Sequence, residues 1–175
     1  MAFVLDATEG GATANSFCTV EFANDLLAGE LYASDWPATD AGADLLTKQK
    51  ALVTATRELN RLEWEGQRTD WNVQALQFPR VNLEDRDGNF VDPNTNPLEL
   101  KEATVRLALY RLPRNPAVLV DESLLQFKRL KIAGAIELEM REGVPSEQDI
   151  PEQVWDLISR WLIIAGSGSV RVYRA

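Results

Sequence analysis

Apolar residues recur at helical spacing from Val20 through Ala23 and Leu27 to Leu31, with Phe22 and Leu26 widening the stripe. Thr19 stands where an N-cap belongs, and Ser34-Asp35-Trp36-Pro37 ends the segment, because proline disfavours helix in the residue before it. A second, longer helix is predicted from about Ala41 to Leu62. Leu45, Leu52, Ala55, Leu59 and Leu62 lie along one side of it, and Lys48, Lys50, Arg57 and Arg61 fall among the remaining positions. Asn96-Pro97 reads as an N-cap followed by proline at the first helical position, opening a helix through Leu100, Ala103 and Leu107. Its later turns, with Val105, Ala108, Leu109 and Leu112, are apolar nearly all round, which predicts a central place; Pro113 and Pro116 stop it. The last helix starts at Asp149 or Ile150 before Pro151 and carries an inward stripe of Val154, Leu157, Ile158, Trp161, Leu162 and Ala165. Ile163 and Ile164 fall off that stripe, as end-of-helix burial or as a contact with another subunit.

The segments around these helices lack a 3.6-residue period. Residues 1–15, rich in Gly, Ala and Thr, read as an N-terminal arm or a loose strand. Residues 64–96 form a long central loop, punctuated by Pro79, Pro93 and many Asn, Asp and Gly residues, and loops of that length are usually functional or interfacial. Within it Asp87-Gly88 fits a tight turn between the extended pieces 81–83 and 90–91. Residues 126–141 divide about Gly134 into a candidate β-hairpin, with Lys128, Arg129 and Lys131 across from Glu137 and Glu139, although Ile136 and Met140 would also share a helix face. Gly166-Ser167-Gly168-Ser169 opens a flexible C-terminal tail, 166–175, in which Val170, Arg171, Val172, Tyr173 and Arg174 alternate like a short strand. Such a strand suits addition to a neighbour's sheet edge; disorder at a chain end is the plainer reading.

The pattern therefore specifies a mainly α chain: a small helical bundle of about four helices with a long central loop, a candidate hairpin and an extended tail, in one domain over residues 16–165. Composition narrows the chemistry. With 45% hydrophobic and 26% charged residues this is an ordinary globular balance. The apolar run at 161–165 is too short for a bilayer, and Met1 to Asp6 lacks the basic start of a secretion signal, so membrane insertion is not expected and a cytoplasm is. No histidine is present, which removes the usual general base and the commonest zinc ligand. Cys18 is the only cysteine and reads as a small buried apolar residue. Asp85-Arg86-Asp87-Gly88-Asn89 opens like a calcium loop, but Phe90 stands where an EF-hand needs glycine and Asn96 where it needs glutamate. The carboxylate pairs Asp85 with Asp87 and Glu63 with Glu65 have nothing converging on them. No enzyme, cofactor or metal is expected. The formal charge of −9 argues against a dedicated binder of nucleic acid backbones, although an acidic lumen suits DNA that slides past without sticking.

A series of motifs resembles a family. Ser16-Phe17-Cys18-Thr19 is similar to its Ser-Tyr-x-Thr opening, Trp64-Glu65-Gly66-Gln67-Arg68 to its Trp-x-Gly-x-Arg, and Gln74-Ala75-Leu76-Gln77-Phe78-Pro79-Arg80 to its Gln-Ala-Leu-x-Trp-Pro-Arg. Asp85-Arg86-Asp87-Gly88, Pro97-Leu98-Glu99-Leu100-Lys101-Glu102-Ala103 and a glycine-centred pair about Gly134 follow in the same order, so the resemblance spans roughly residues 16–140. Phe17 and Phe78 replace the family's Tyr and Trp, Asn96 replaces an apolar residue, and its basic tail has no counterpart. The family is that of tailed-phage head-tail connectors (adaptors, or head-completion proteins), also described as DnaT-like single-stranded DNA-binding proteins. The resemblance implies a non-enzymatic virion protein of the neck, assembled in the host cytoplasm as a ring of about a dozen subunits. Its implied partners are the portal protein, neighbouring copies of itself, a tail, stopper or other neck protein, and DNA passing through the lumen without specific binding. Single-stranded DNA binding is the alternative. Candidate interface or structural residues are Trp64, Trp71 and Phe78 as apolar anchors, Arg68 and Arg80 as ties to loop carbonyls or to an acid on the next subunit, and Ile163, Ile164 and Val170 to Arg174.

Overall fold

A computed structural model describes residues 3–113, 129–132, 136–139 and 150–163. Helix α1, Val20–Leu27, begins as its sequence directs: Thr19 Oγ1 accepts from the Phe22 amide at 3.1 Å, and Ala23 and Leu27 enter the core. It stops short of Leu31, which is 83% exposed beside Tyr32. The apolar spacing continues, but the chain turns at Gly29 and folds back, so that Trp36 Nε1 donates to Asn24 Oδ1 at 2.9 Å.

Helix α2, Gly42–Leu59, buries Ala51, Leu52, Ala55, Thr56 and Leu59. The expected last turn tightens instead, with the Arg61 and Leu62 amides donating three residues back, to Glu58 and Leu59. Lys48, expected off the apolar side of this helix, is only 3% exposed. Its ammonium donates to Asp40 Oδ1 at 2.7 Å and Asn24 Oδ1 at 2.9 Å and lies 5.7 Å from the Trp36 ring centroid, because the loop after α1 closes over it.

Helix α3, Leu98–Arg111, packs against both α2 and the last helix. Leu100, Ala103, Thr104, Val105, Leu107, Ala108 and Arg111 are buried, so the nearly all-round apolar pattern does mark the central element. Its cap differs from expectation. Asn96 spends its side chain on the Phe17 carbonyl, at 3.1 Å, and its amide on Glu9 Oε1, leaving Pro97 at the cap position without a side-chain bond. Tertiary anchoring here outweighs one capping bond.

The last helix, α4, Glu152–Ile158, gives way to a 3₁₀ turn, Ser159–Trp161, and then to extended chain. Leu162 therefore does not continue a helix: it bridges antiparallel to Trp64, with the Glu65 amide bonded to Trp161 O and the Ile163 amide to Glu63 O. Val154, Ile158, Trp161 and Leu162 are buried as the stripe predicts. Among the described residues the fold is thus four helices and two small two-stranded sheets, a mainly helical protein.

One sheet pairs β1, Gln67–Arg68, with β2, Arg80–Val81, inside the central loop. The other pairs β3, Arg129–Ile132, with β4, Ile136–Glu139, and its register sets Arg129 opposite Glu139 and Lys131 opposite Glu137, the hairpin rather than the helix alternative. The rest of 126–141, together with Pro116, Ile164, Ala165 and the tail, lies outside the described residues. Residues 3–15 are no free arm. The Asn15 and Ser16 amides donate to Asp6 O, Gly11 O accepts from the Ala75 amide, and Glu9 pairs with Lys101 at 2.7 Å.

Candidate functional site

The motif residues converge on the central loop. Trp64 and Phe78 are buried, their rings edge-on at 4.8 Å, and Phe78 also meets Phe17 at 6.0 Å and Trp161 at 6.3 Å. Trp64 Nε1 donates to Leu59 O and Trp161 Nε1 to Glu84 O, so each buried indole has its partner.

Arg80 occupies the middle of this loop. Its Nε donates to Glu65 O at 2.7 Å, Nη2 to Trp64 O at 3.0 Å and Gly66 O at 2.8 Å, and Nη1 to Gln77 O and Oε1 at 3.2 and 2.9 Å. A planar guanidinium with five donors can serve two stretches of chain in this way; an ammonium cannot. Burial, and then the nearby charge of Arg68, depress its pKa, yet a guanidinium stays protonated. Gly66 is bound up in the same arrangement. It adopts φ +71°, and a Cβ there would stand 2.3 Å from Val81 O, across the β1–β2 pair. Gln74, buried, donates to Leu76 O and Pro79 O and accepts from the Asp70 amide, while Arg68 Nη1 reaches Gln74 O at 3.5 Å. The Phe78-Pro79 peptide is cis.

Trp64, Phe78 and Arg80 are therefore spent inside the subunit. Trp71, expected as a third anchor, is 74% exposed and has no ring partner among the described residues, since the loop tip at 70–73 turns away from the aromatic cluster. Ile163 is 53% exposed; Ile164 and Val170, Arg171, Val172, Tyr173 and Arg174 lie outside the described residues. Sequence reading missed Gly66 and Gln74 as structural determinants, although both belong to the motifs it singled out. It also missed the burial of Lys48 and Asn96, for which no local signal exists.

A cleft of about 710 Å³ lies beside the loop, lined by Glu65, Asn82, Glu84, Asp85, Arg86, Asp156 and Arg160. Asp85 Oδ1 accepts from the Asp87 and Asn89 amides, each at 2.8 Å, and Asn89 Nδ2 adds to both oxygens. These bonds hold the carboxyl below the usual carboxylate range, and its oxygens serve the turn. Cys18 is buried, and desolvation pushes its thiol up to about 12, which removes thiolate chemistry. Among the described residues no three His, Cys, Asp or Glu side chains gather as metal ligands, and no helix is long and apolar enough to cross a membrane.

Fold and site together define a small, mainly helical protein whose motif residues lock an irregular loop onto a helical layer. Over residues 1–175 the chain matches the model of the family described as "Putative DnaT-like ssDNA binding protein", and it belongs to that family. No curated protein and no solved structure matches it.

Proposed function

We propose that this chain is a structural, non-enzymatic protein, a head-tail adaptor subunit that assembles in a ring below a phage portal and offers a docking surface to the tail or the next neck protein. The observation that carries the reading is the set of large apolar side chains held exposed: Leu31 with Tyr32, Trp71 with Val73, Phe90 and Leu98. The cations point the same way. Lys48, Lys101, Arg106 and Arg111 are paired with the chain's own acids and Arg80 with its carbonyls, in a chain of net charge −9. The test is electron microscopy of the protein mixed with its portal, where a ring of copies on the portal is expected; a portal left bare overturns the reading.

Single-stranded DNA binding is the second reading, and the family's description speaks for it. Lys50, Arg57 and Arg61 favour it, as exposed cations along α2 and the turn that continues it. Fluorescence anisotropy with an oligo-dT strand decides. Three phosphate contacts predict a logarithmic salt slope of about −2, whereas the adaptor reading predicts no tight binding at moderate salt.

A further inference from the structure

Helices α2 and α4 both pack on α3 and, among the described residues, do not touch each other. The face of each turned from the core is therefore an outer flank of one helical layer, and the two flanks carry opposite charge. On α2, Lys50 and Arg57 lie two turns apart opposite the buried face, and Arg61 follows one turn on. None of the three has an ion-pair partner among the described residues. The acids of α2 do not neutralise them, because Asp44 accepts from Thr39 and Glu58 is held by Arg111 at 3.0 Å. On α4, Glu152 and Asp156 are exposed opposite the buried Val154 and Ile158, with Trp155, 36% exposed, at the edge between the two faces, and neither acid has an ion-pair partner among the described residues. The spacing in sequence matches: Arg57 and Arg61 are four residues apart, as are Glu152 and Asp156, with Arg61 in the tightened turn just past the end of α2. Trp155 adds an aromatic face on which a guanidinium can stack.

We propose that the cationic flank of α2 docks on the Glu152-Trp155-Asp156 flank of α4 in a second copy of this chain. A contact between two different faces of identical subunits is heterologous, so it propagates, and it closes into a ring when the rotation per subunit allows. The inference supplies the contact for the ring reading above and rests on that reading for closure.

Sedimentation of the full chain at about 0.1 M salt, up to roughly millimolar protein, tests it. The unaltered chain is expected to self-associate. Arg57→Glu with Arg61→Glu weakens association by roughly tenfold or more, and so does Glu152→Lys with Asp156→Lys. The second variant is the sharper one, because it lowers the net negative charge, and relief of general repulsion would tighten association instead. Mixing the two variants, or combining all four changes in one chain, restores association. Glu21→Lys with Asp25→Lys, an equal reversal on α1, leaves it unchanged. A chain that stays monomeric throughout, a four-change variant that fails to recover, or an equal effect of the α1 control overturns the proposal. So does an α2 variant that loses oligo-dT binding while associating normally, which would make the flank a phosphate track. Failure of the ring reading is separate: the pairwise contact would persist in sedimentation while the portal stayed bare.

Discussion

At the scale of single residues, burial assigns roles that residue type leaves open. Phe78 and Trp71 are both large aromatics of one loop, yet only Phe78 fills the space between Trp64, Phe17 and Trp161. Phe78→Ala is expected to cost about 3–5 kcal/mol, and Trp71→Ala to stay within about 0.5 kcal/mol in urea unfolding. Equal costs would show that the loop tip packs. Cys18 makes a pH prediction. In the unfolded chain its thiol ionises at about 8.5, while desolvation in the fold, opposed by Lys101 and the Ser16 hydroxyl, moves it up to about 12. The unfolded state therefore loses the proton first. This contribution to stability is intact below the unfolded value and is lost progressively as pH rises toward the folded one. Between neutral and alkaline pH the urea midpoint of the native chain should fall more than that of Cys18→Ala; parallel falls would contradict the burial argument. That Cys18 is buried was legible from its type. That Lys48 and Asn96 are buried was not, because their partners, Asp40, Asn24 and Phe17, come from other segments.

At the scale of elements, helices follow local period where nothing competes and depart from it where a tertiary contact does. Thr19 caps α1 and the α3 stripe is central, as the pattern states. The end of α4 departs, since extended pairing of Leu162 with Trp64 satisfies the backbone of the loop's start as well as its own. The central loop was legible as long and irregular, but not as a structure ordered by one arginine and one glycine. Gly66→Ala tests this. Positive φ and the close approach to Val81 O predict a loss of about 2–4 kcal/mol, read as a lower melting temperature, with increased hydrogen exchange at Arg68 and Thr69. Exchange unchanged there would separate Gly66 from the β1–β2 pair.

At the scale of the whole molecule, charge is sorted rather than merely abundant. Acids and bases pair around the helical layer, and the cations of α2 and acids of α4 that have no ion-pair partner among the described residues remain on opposite flanks. The adaptor reading adds a prediction for the tail. Truncation after Gly166 is expected to leave the melting temperature unchanged within about 2 °C and to reduce capture by the portal in a pull-down. Full capture by the truncated chain would remove the tail from the docking surface.

The sequence by itself determined that the chain is mainly helical, where the central helix lies, that the aromatic motifs belong to a long loop, and that the chemistry offers no histidine. All of these follow from local period, turn residues and composition. Only the tertiary structure decided which motif residues face inward, why Arg80 and Gly66 stand where they do, and that Lys48 is buried. It alone also set the cationic and anionic flanks apart. The physical reason is common to these: a contact between residues of different segments, such as Lys48 with Asn24 or Arg80 with Trp64, has no period to betray it, and it exists only once the fold that brings its partners together has formed.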